Sequence, residues 1–282
     1  ADKTLAALPK ALHHVSLFEP HGPLVSANRG ILEYADLLKR PVESFKYLLS
    51  TVETSNVEMD SFALHLDMVL IASTNDTYLE AFKEHPDFPS FKGRMELIKV
   101  PYLLHYAQEK EIYTQTISEK ILGKHVAPHT IEIVAFWGVL TRMRRNDPER
   151  HAKAIRALIK DLTPIEKLRL YDKGDFPERL TRQEERLLLQ NLPLLYKETL
   201  SYPNYEGRFG ASARELKTIL LNAAHDEHFD FLNPESVFLE IENLLGSKSV
   251  YPFLKQEIVG KFHDHKAFLE QTRDLYLDLI DD

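Results

Sequence analysis

Cysteine is missing from all 282 residues of the sequence. Its absence excludes disulfide bonds and metal sites built on thiolates, and it suits the reducing interior of a cell. No run of apolar residues approaches the ~20 needed to span a bilayer, and the first residues lack the apolar core of a signal peptide. We therefore expect a cytoplasmic protein with no membrane partner.

Two phosphate-handling signatures are also missing. None of the ten glycines belongs to a G-x-x-x-x-G-K-[ST] phosphate loop. The V-A-I-K, H-R-D and D-F-G motifs of the common protein kinases are absent as well, and Gly174-Asp175-Phe176 carries the letters of the last motif in another order.

An excess of basic residues is likewise missing. The 35 basic and 43 acidic residues give a net charge of -8, which argues against nucleic acid as the default partner. With 44% hydrophobic residues, the chain can bury a sizeable core in one large or two small domains.

The first part of the chain mixes strand-like and helical segments. Two apolar runs, at 31–38 and 66–72, flank a segment with helical spacing at 42–52, and residues 57–66 suit a hairpin or loop. The second run has the length and composition of a central strand covered on both faces. Strand, helix and strand in this order predict a parallel α/β sheet.

After residue 103 the sequence predicts one helix after another. Several helix starts carry capping residues, in which a hydroxyl side chain stands three positions before a glutamate. These starts are Thr163 with Glu166, Thr181 with Glu184, and Ser212 with Glu215, and Asn233-Pro234 is a similar start.

Acidic and amide side chains stand in or after the two apolar runs. Glu33 and Asp36 lie in the first run, and Asn75 follows the second. In nucleotide hydrolases of the AAA type, a carboxylate at the end of one strand holds Mg²⁺, and a polar residue on the next strand positions the attacking water. Glu33 or Asp36 could fill the first role and Asn75 the second. Alternatively, the carboxylates line a solvated helix face and Asn75 ends a strand in a turn.

Arg94 follows a proline-rich loop and precedes an apolar stretch at 97–104. An arginine on such a loop can act as a finger on a neighbouring subunit's γ-phosphate, because its planar fork stabilises charge on the transferred oxygens. That role requires a homo-oligomer. The alternative is an ordinary surface arginine.

Arg214 stands in the first turn of the helix that Ser212 and Glu215 cap. The free N–H groups and the positive dipole at a helix start both favour a phosphate. Arg214 could therefore clamp ATP from a helical lid. The alternative is a solvated arginine in a capping segment.

Thirteen histidines invite a metal hypothesis, above all His225 with His228 and His263 with His265. A zinc site draws three or four convergent ligands, and no further spacing fits one. We expect no metal there, and we expect His225 to help end the helix that carries Arg214.

Basic residues concentrate between positions 142 and 160, beginning with Arg142. They could bind an acidic partner or nucleic acid. A solvated helix is the favoured interpretation, because Asp147 and Glu149 interrupt the run and no aromatic residues interleave for base stacking.

Two segments, together with the order of the candidate residues, resemble the bacterial PrkA family over nearly the whole chain. They are Ser26-Ala27-Asn28-Arg29-Gly30-Ile31-Leu32-Glu33-Tyr34 and Tyr202-Pro203-Asn204-Tyr205-Glu206-Gly207-Arg208. Members are serine protein kinases built on an AAA-type ATPase module. The resemblance implies that residues 1–103 form the C-terminal part of an AAA-type α/β core with a partial parallel sheet. Residues 104–282 would then form a mostly α-helical lid with an inserted helical segment and C-terminal helices.

The resemblance also implies roles for the candidate residues. Glu33 and Asp36 resemble a Walker B site for Mg²⁺, Asn75 a first sensor, Arg94 a finger, and Arg214 a second sensor of ATP. Most AAA proteins have adjacent Asp-Glu where Ala35 precedes Asp36, so the choice of metal-binding carboxylate stays open.

Family members carry the phosphate loop upstream of the region where this chain begins. We therefore expect a fragment that lacks its N-terminal part, does not bind ATP tightly alone and is inactive alone.

The first functional hypothesis is the sensor and lid half of a PrkA-type ATP-dependent serine protein kinase, with ATP bound between core and lid and a protein as substrate. A second hypothesis is an AAA-type ATPase that remodels a protein partner without phosphorylating it. A third is a helical interaction module.

Overall fold

The computed structural model describes residues 20–58, 63–118, 122–199 and 205–281. The chain divides into two compact units, Ala1–Lys99 and Val100–Asp282. The sequence-based division after residue 103 lies near this boundary. Each unit is described by itself below.

The first unit contains a small parallel sheet, as the strand order predicts. Strand β1 (Ile31–Tyr34) pairs in parallel with β4 (Val69–Ala72), and β2 (Asn56–Glu58) forms an antiparallel hairpin with β3 (Ala63–His65). The described helices are α1 (Pro23–Ser26), α2 (Tyr47–Thr54), α3 (Asp76–Lys83) and α4 (Phe88–Lys92), with 3₁₀ turns at Leu37–Lys39 and Val42–Ser44.

Phenylalanine rings form the core of the first unit. Phe45, Phe82 and Phe91 meet edge to face, with ring centroids 5.1 to 6.4 Å apart, a favoured aromatic geometry. Leu37 and Leu48 complete this core. It covers one face of the β1–β4 sheet.

The other face of that sheet corrects one prediction. The run at 66–72 was expected to form a central strand covered on both sides, yet Val69 and Ile71 are 60% and 52% exposed and Ile31 is 64% exposed. The reason lies in the pairing: among the described residues, β4 has β1 as its one partner. Because side chains alternate across a strand, the face opposite the core keeps these residues in solvent.

The second unit is helical, which confirms the predicted change of architecture. Its described helices are α5 (Tyr106–Thr116), α6 (Thr130–Arg142), α7 (Arg156–Asp161), α8 (Pro164–Asp172), α9 (Arg182–Thr199), α10 (Ala213–His225), α11 (Pro234–Gly246) and α12 (His265–Asp281). Short 3₁₀ turns lie at Pro148–Arg150, Lys153–Ile155 and Pro252–Lys255. No helix in the described part of the chain is both long enough and apolar enough to cross a bilayer.

Helix α6 is the central helix of this unit. Every residue from Ile133 to Arg142 is buried, and α5, α8, α10, α11 and α12 pack around it. A helix that is apolar on all sides belongs in a core. Gly138 lets α10 approach closely, because a Cβ at that position would lie 2.1 Å from Leu216 Cδ1.

The predicted capping boxes are formed. Reciprocal hydrogen bonds join Thr163 with Glu166 and Ser212 with Glu215 at the starts of α8 and α10. Thr181 and Glu184 make the same pair of bonds before α9. Asn233 caps α11 with Ser236 as its partner.

Candidate functional site

Parallel pairing continues past the ends of β1 and β4 and sets their polar residues side by side. The Ser73 N–H donates to the Tyr34 carbonyl at 3.0 Å, and the Leu37 N–H donates to the Ser73 carbonyl at 2.9 Å. The Asp36 N–H donates to Ser73 Oγ at 3.2 Å. Asp36 and the segment from Ser73 to Asn75 therefore share the carboxyl edge of the sheet, where open α/β sheets bind ligands.

Asp36 occupies a turn directly after β1. Its backbone is left-handed, with φ of 51°, a conformation that Asp tolerates better than most residues. The carboxylate accepts a hydrogen bond from Lys39 Nζ at 2.7 Å and is 52% exposed. It is accessible to a ligand at the sheet edge.

Glu33 lies elsewhere, although the sequence offered it as an equal candidate. It sits within β1 opposite Ile71, on the exposed face of the sheet that also carries Ile31 and Val69. The two carboxylates therefore lie on different parts of the sheet. Asp36 is at the carboxyl edge, and Glu33 is on the open face.

Asn75 is the N-cap residue of α3. Its Oδ1 accepts a hydrogen bond from the Tyr78 N–H at 3.0 Å. Its amide nitrogen makes no hydrogen bond with any residue that the structure describes. One half of the side chain holds the helix start, and the other half retains two free donors for a ligand or water.

Arg94 is held within its own unit. Its Nε and Nη2 contact Glu53 Oε2 at 2.8 and 2.7 Å, and its Nη1 donates to the Ser90 carbonyl at 3.1 Å. A finger acting on a neighbouring subunit would have to exchange these contacts. The pairing with Glu53 was not expected from the sequence.

Arg214 belongs to the second unit and lies in the first turn of α10. The cap is well formed: the Ser212 N–H donates to Glu215 Oε2 at 2.6 Å, and the Glu215 N–H donates to Ser212 Oγ at 3.3 Å. The Arg214 side chain is exposed and forms no ion pair with the described residues. Its guanidinium is thus available beside the positive end of a helix.

Arg142 overturns the expectation of a solvated basic helix. Its side chain is 0% exposed, and its partner Glu109 is 1% exposed. The guanidinium donates to the two Glu109 oxygens at 2.7 and 2.8 Å, while Tyr113 donates its hydroxyl to the same carboxylate. Burial, with the Glu109 bond, raises the pKa of Tyr113. The surrounding apolar sequence of α6 was the signal that this arginine is buried.

The remaining basic run is also not one helix. Helix α6 ends at Arg142, a 3₁₀ turn follows at Pro148–Arg150, and α7 begins at Arg156. Arg144, three residues before Asp147, is half-buried, and burial lowers its pKa.

The second family-like segment lies partly outside the described residues, which omit Tyr202, Pro203 and Asn204. In its described part, Glu206 is buried and accepts hydrogen bonds from Lys167 Nζ at 2.6 Å and from the Arg144 N–H at 2.6 Å. Desolvation by burial lowers the Lys167 pKa, against the attraction of Glu206. This part of the segment therefore fastens the chain that leaves α6.

Among the described residues, neither histidine pair belongs to a cluster of three or more possible metal ligands. His225 is the last residue of α10, and its Nδ1 lies 2.7 Å from the Leu221 carbonyl. The predicted helix-ending position of His225 is confirmed.

Two protein-family models match successive parts of the chain. The PrkA AAA domain matches residues 8–150, and the PrkA serine protein kinase C-terminal domain matches residues 165–282. The chain belongs to the PrkA family. The predicted resemblance is therefore confirmed, and the PrkA AAA match covers the edge that carries Asp36 and Asn75.

Two relatives within the PrkA family carry different names. The ATP-dependent protease PrkA of Bacillus subtilis (strain 168) is 32% identical over 153 residues, which cover 54% of this chain and 22% of that protein. The serine/threonine kinase YeaG of Escherichia coli (strain K12) is 24% identical over 255 residues, which cover 86% of this chain and 36% of that protein. The chain thus spans well under half the length of either relative.

A solved structure of NtrX from Brucella abortus in complex with ATP aligns with 85% of this PrkA-family chain and 55% of its own. The sequence identity is 16% and the TM-score is 0.32. A score this low does not show a shared fold.

Proposed function

We propose that this chain supplies the sensor and lid part of a PrkA-type ATP-dependent serine protein kinase. The observation that carries the proposal is the parallel pairing of β1 with β4, which brings Asp36 and Asn75 to one edge of the sheet. The match to a PrkA AAA domain supports the proposal that this edge binds nucleotide. We propose the activity for the whole protein and not for this chain alone, since the chain spans 22% and 36% of the two relatives.

Each candidate residue has a chemistry that fits this role. The free amide donors of Asn75 can orient the attacking group without adding charge. Arg214, exposed at the start of α10, can bind phosphate oxygens with its planar fork and sense their loss. We propose that each of the two residues acts on ATP in the full-length protein.

Asp36 fits a magnesium ion that is shared with nucleotide phosphates. Mg²⁺ usually binds one or two carboxylates and keeps water and phosphate oxygens as its other ligands. One exposed carboxylate at a sheet edge meets that need, whereas a cage made of protein ligands alone is not formed by the described residues. When bound, the ion would neutralise charge on the phosphates.

The assignment of Asn75 is tested by Asn75→Ser in the full-length protein. Serine retains an oxygen that caps the helix but loses the amide donors, so ATP hydrolysis should fall while thermal stability stays near the parent value. Asn233→Ser makes the same change at the capped start of α11. If both variants hydrolyse ATP at equal rates, Asn75 is not a sensor.

Arg214 has an equally close control. Arg182 is an arginine in the first turn of α9 and stands between Thr181 and Glu184, the capping pair of that helix. Arg214→Ala should lower hydrolysis by about tenfold to a hundredfold, the loss of one or two charge-assisted hydrogen bonds. Arg182→Ala should not lower it. Equal rates for the two variants would remove Arg214 from the site.

The choice between the carboxylates follows from their different positions. Asp36→Asn keeps the left-handed turn accessible but removes the charge, so it should abolish magnesium-dependent hydrolysis. Glu33→Gln, on the open face, should have a smaller effect. The reverse order would place the metal at Glu33.

A second candidate is an ATPase that remodels a protein partner without phosphorylating it. Two observations favour it: the chain lacks the common kinase motifs, and the B. subtilis relative is named an ATP-dependent protease. An assay with ATP labelled at the γ-phosphate distinguishes the two candidates. Transfer of label to a serine substrate supports the kinase, whereas phosphate release without protein labelling supports remodelling.

A further inference from the structure

We propose that Arg142 is a positioning residue for Arg214: it fixes the start of α10 from the buried end of α6. The proposal rests on the proposed function in so far as Arg214 contacts ATP. The structural part concerns the second unit alone.

Ala211 is the residue through which the two helices are joined. It immediately precedes Ser212, the N-cap of α10. Its carbonyl accepts hydrogen bonds from Arg142 Nε and Nη2 at 2.9 and 2.8 Å, and its N–H donates to Thr141 Oγ1 at 2.8 Å. Both polar backbone groups of Ala211 are therefore bound to the last two residues of α6.

The Arg142 guanidinium uses its full donor capacity. Besides the two bonds to Ala211, it donates to the Leu103 carbonyl at 2.9 Å and makes two bonds to Glu109. An arginine has five N–H donors, and each has a partner here. A lysine can neutralise Glu109, but it has three donors and no planar fork, so it cannot hold the same set of acceptors.

The backbone beside Ala211 is shaped to admit this guanidinium. Gly210 has φ of +132°, and a Cβ there would lie 2.5 Å from Arg142 Cγ. The chain thus runs directly over the arginine before it enters α10. Because Arg214 is the second residue of that helix, the position of its backbone is set by where Ala211 is held.

The first measurement is hydrogen exchange of residues 205–216 in full-length Arg142→Lys. Exchange should accelerate on the order of tenfold, as expected for the loss of one or two buried hydrogen bonds. Thr141→Val removes the acceptor of the Ala211 N–H without changing charge and should give the same local acceleration. Unchanged exchange at 205–216 in both variants would overturn the proposal.

The second measurement is a double-mutant cycle on kcat/KM for ATP hydrolysis. If Arg142 acts through Arg214, Arg142→Lys lowers kcat/KM in the parent but not in the Arg214→Ala background. Ile241→Ala, in the buried core of α11, is the structural control and should cause the same fold loss in both backgrounds. Equal fold losses for Arg142→Lys in the two backgrounds would overturn its action through Arg214.

The two measurements distinguish the failure of each idea. Accelerated exchange together with unchanged hydrolysis in Arg214→Ala would refute the sensor role and leave the anchoring of α10 supported. Accelerated exchange with a non-additive cycle supports both.

Discussion

Replacing Glu109 with leucine is expected to destabilise the second unit by about 3–5 kcal/mol, because the Arg142 guanidinium would stay buried without its carboxylate. The two side chains are 0% and 1% exposed, so water cannot replace the lost partner. The remaining carbonyl contacts of Arg142, at Leu103 and Ala211, satisfy donors but do not neutralise the charge.

The double variant Glu109→Leu, Arg142→Met sharpens this expectation. It removes both charges together, so its loss of unfolding free energy should be smaller than the sum of the losses in the two single variants. The difference should be about 2 kcal/mol or more. Its residual cost comes from the Leu103 and Ala211 carbonyls, which lose their donors, and from the Tyr113 hydroxyl, which loses Glu109; each group left unsatisfied costs about 1–3 kcal/mol.

Urea unfolding followed by tryptophan fluorescence provides the assay. Trp137 is the one tryptophan of the sequence and is fully buried in α6, so its signal reports on the second unit. Glu242→Leu is the matched control, since Glu242 pairs with Arg273 at 2.9 Å but is 50% exposed; it should cost no more than about 1 kcal/mol. A cost of that small size for Glu109→Leu would refute the reasoning from burial.

Three further predictions follow from other sites. Gly210→Ala should cost about 2–4 kcal/mol in the same assay, because its positive φ and its contact with Arg142 exclude a side chain; Gly246→Ala, with no atom within 4 Å of an added Cβ, should not. Burial holds the pKa of His265 at about 4, below its ordinary 6.5. Between these two pH values the unfolded chain binds a proton at His265 that the folded chain does not bind, so the free energy of unfolding should fall by about 3 kcal/mol between pH 6.5 and pH 4. The decline should be shallower in His265→Gln. Parallel curves of unfolding free energy against pH for parent and variant would contradict the lowered pKa of His265. Arg94→Ala should lower ATP hydrolysis, and mixing it with a hydrolysis-deficient Asn75→Ser subunit should restore activity only if Arg94 acts in trans.

Short sequence patterns correctly predicted the helix starts and the pairing of the two strands. The capping boxes at Thr163, Thr181 and Ser212 formed because each needs only residues within one helical turn. The parallel pairing of the two apolar runs followed from the strand, helix and strand order.

Other features depended on contacts that the sequence does not show. The distinction between Glu33 and Asp36 required the strand limits, because Glu33 lies within β1 on its exposed face, whereas Asp36 lies beyond the end of β1 at the sheet edge. The exposure of Val69 and Ile71 required knowing how many strands flank β4 in this chain. Arg142 was interpreted with its basic neighbours, although it belongs to the apolar helix before them.

Helix α10 is joined to α6 at two separated points. Ala211 is bonded to Thr141 and Arg142 at one end, and Leu216 fits against Gly138 farther along. Two such joints prevent the helix from pivoting alone, and close-packed elements move as rigid bodies. Any displacement of Arg214 together with its helix must therefore carry α6, and with it the helices packed around α6.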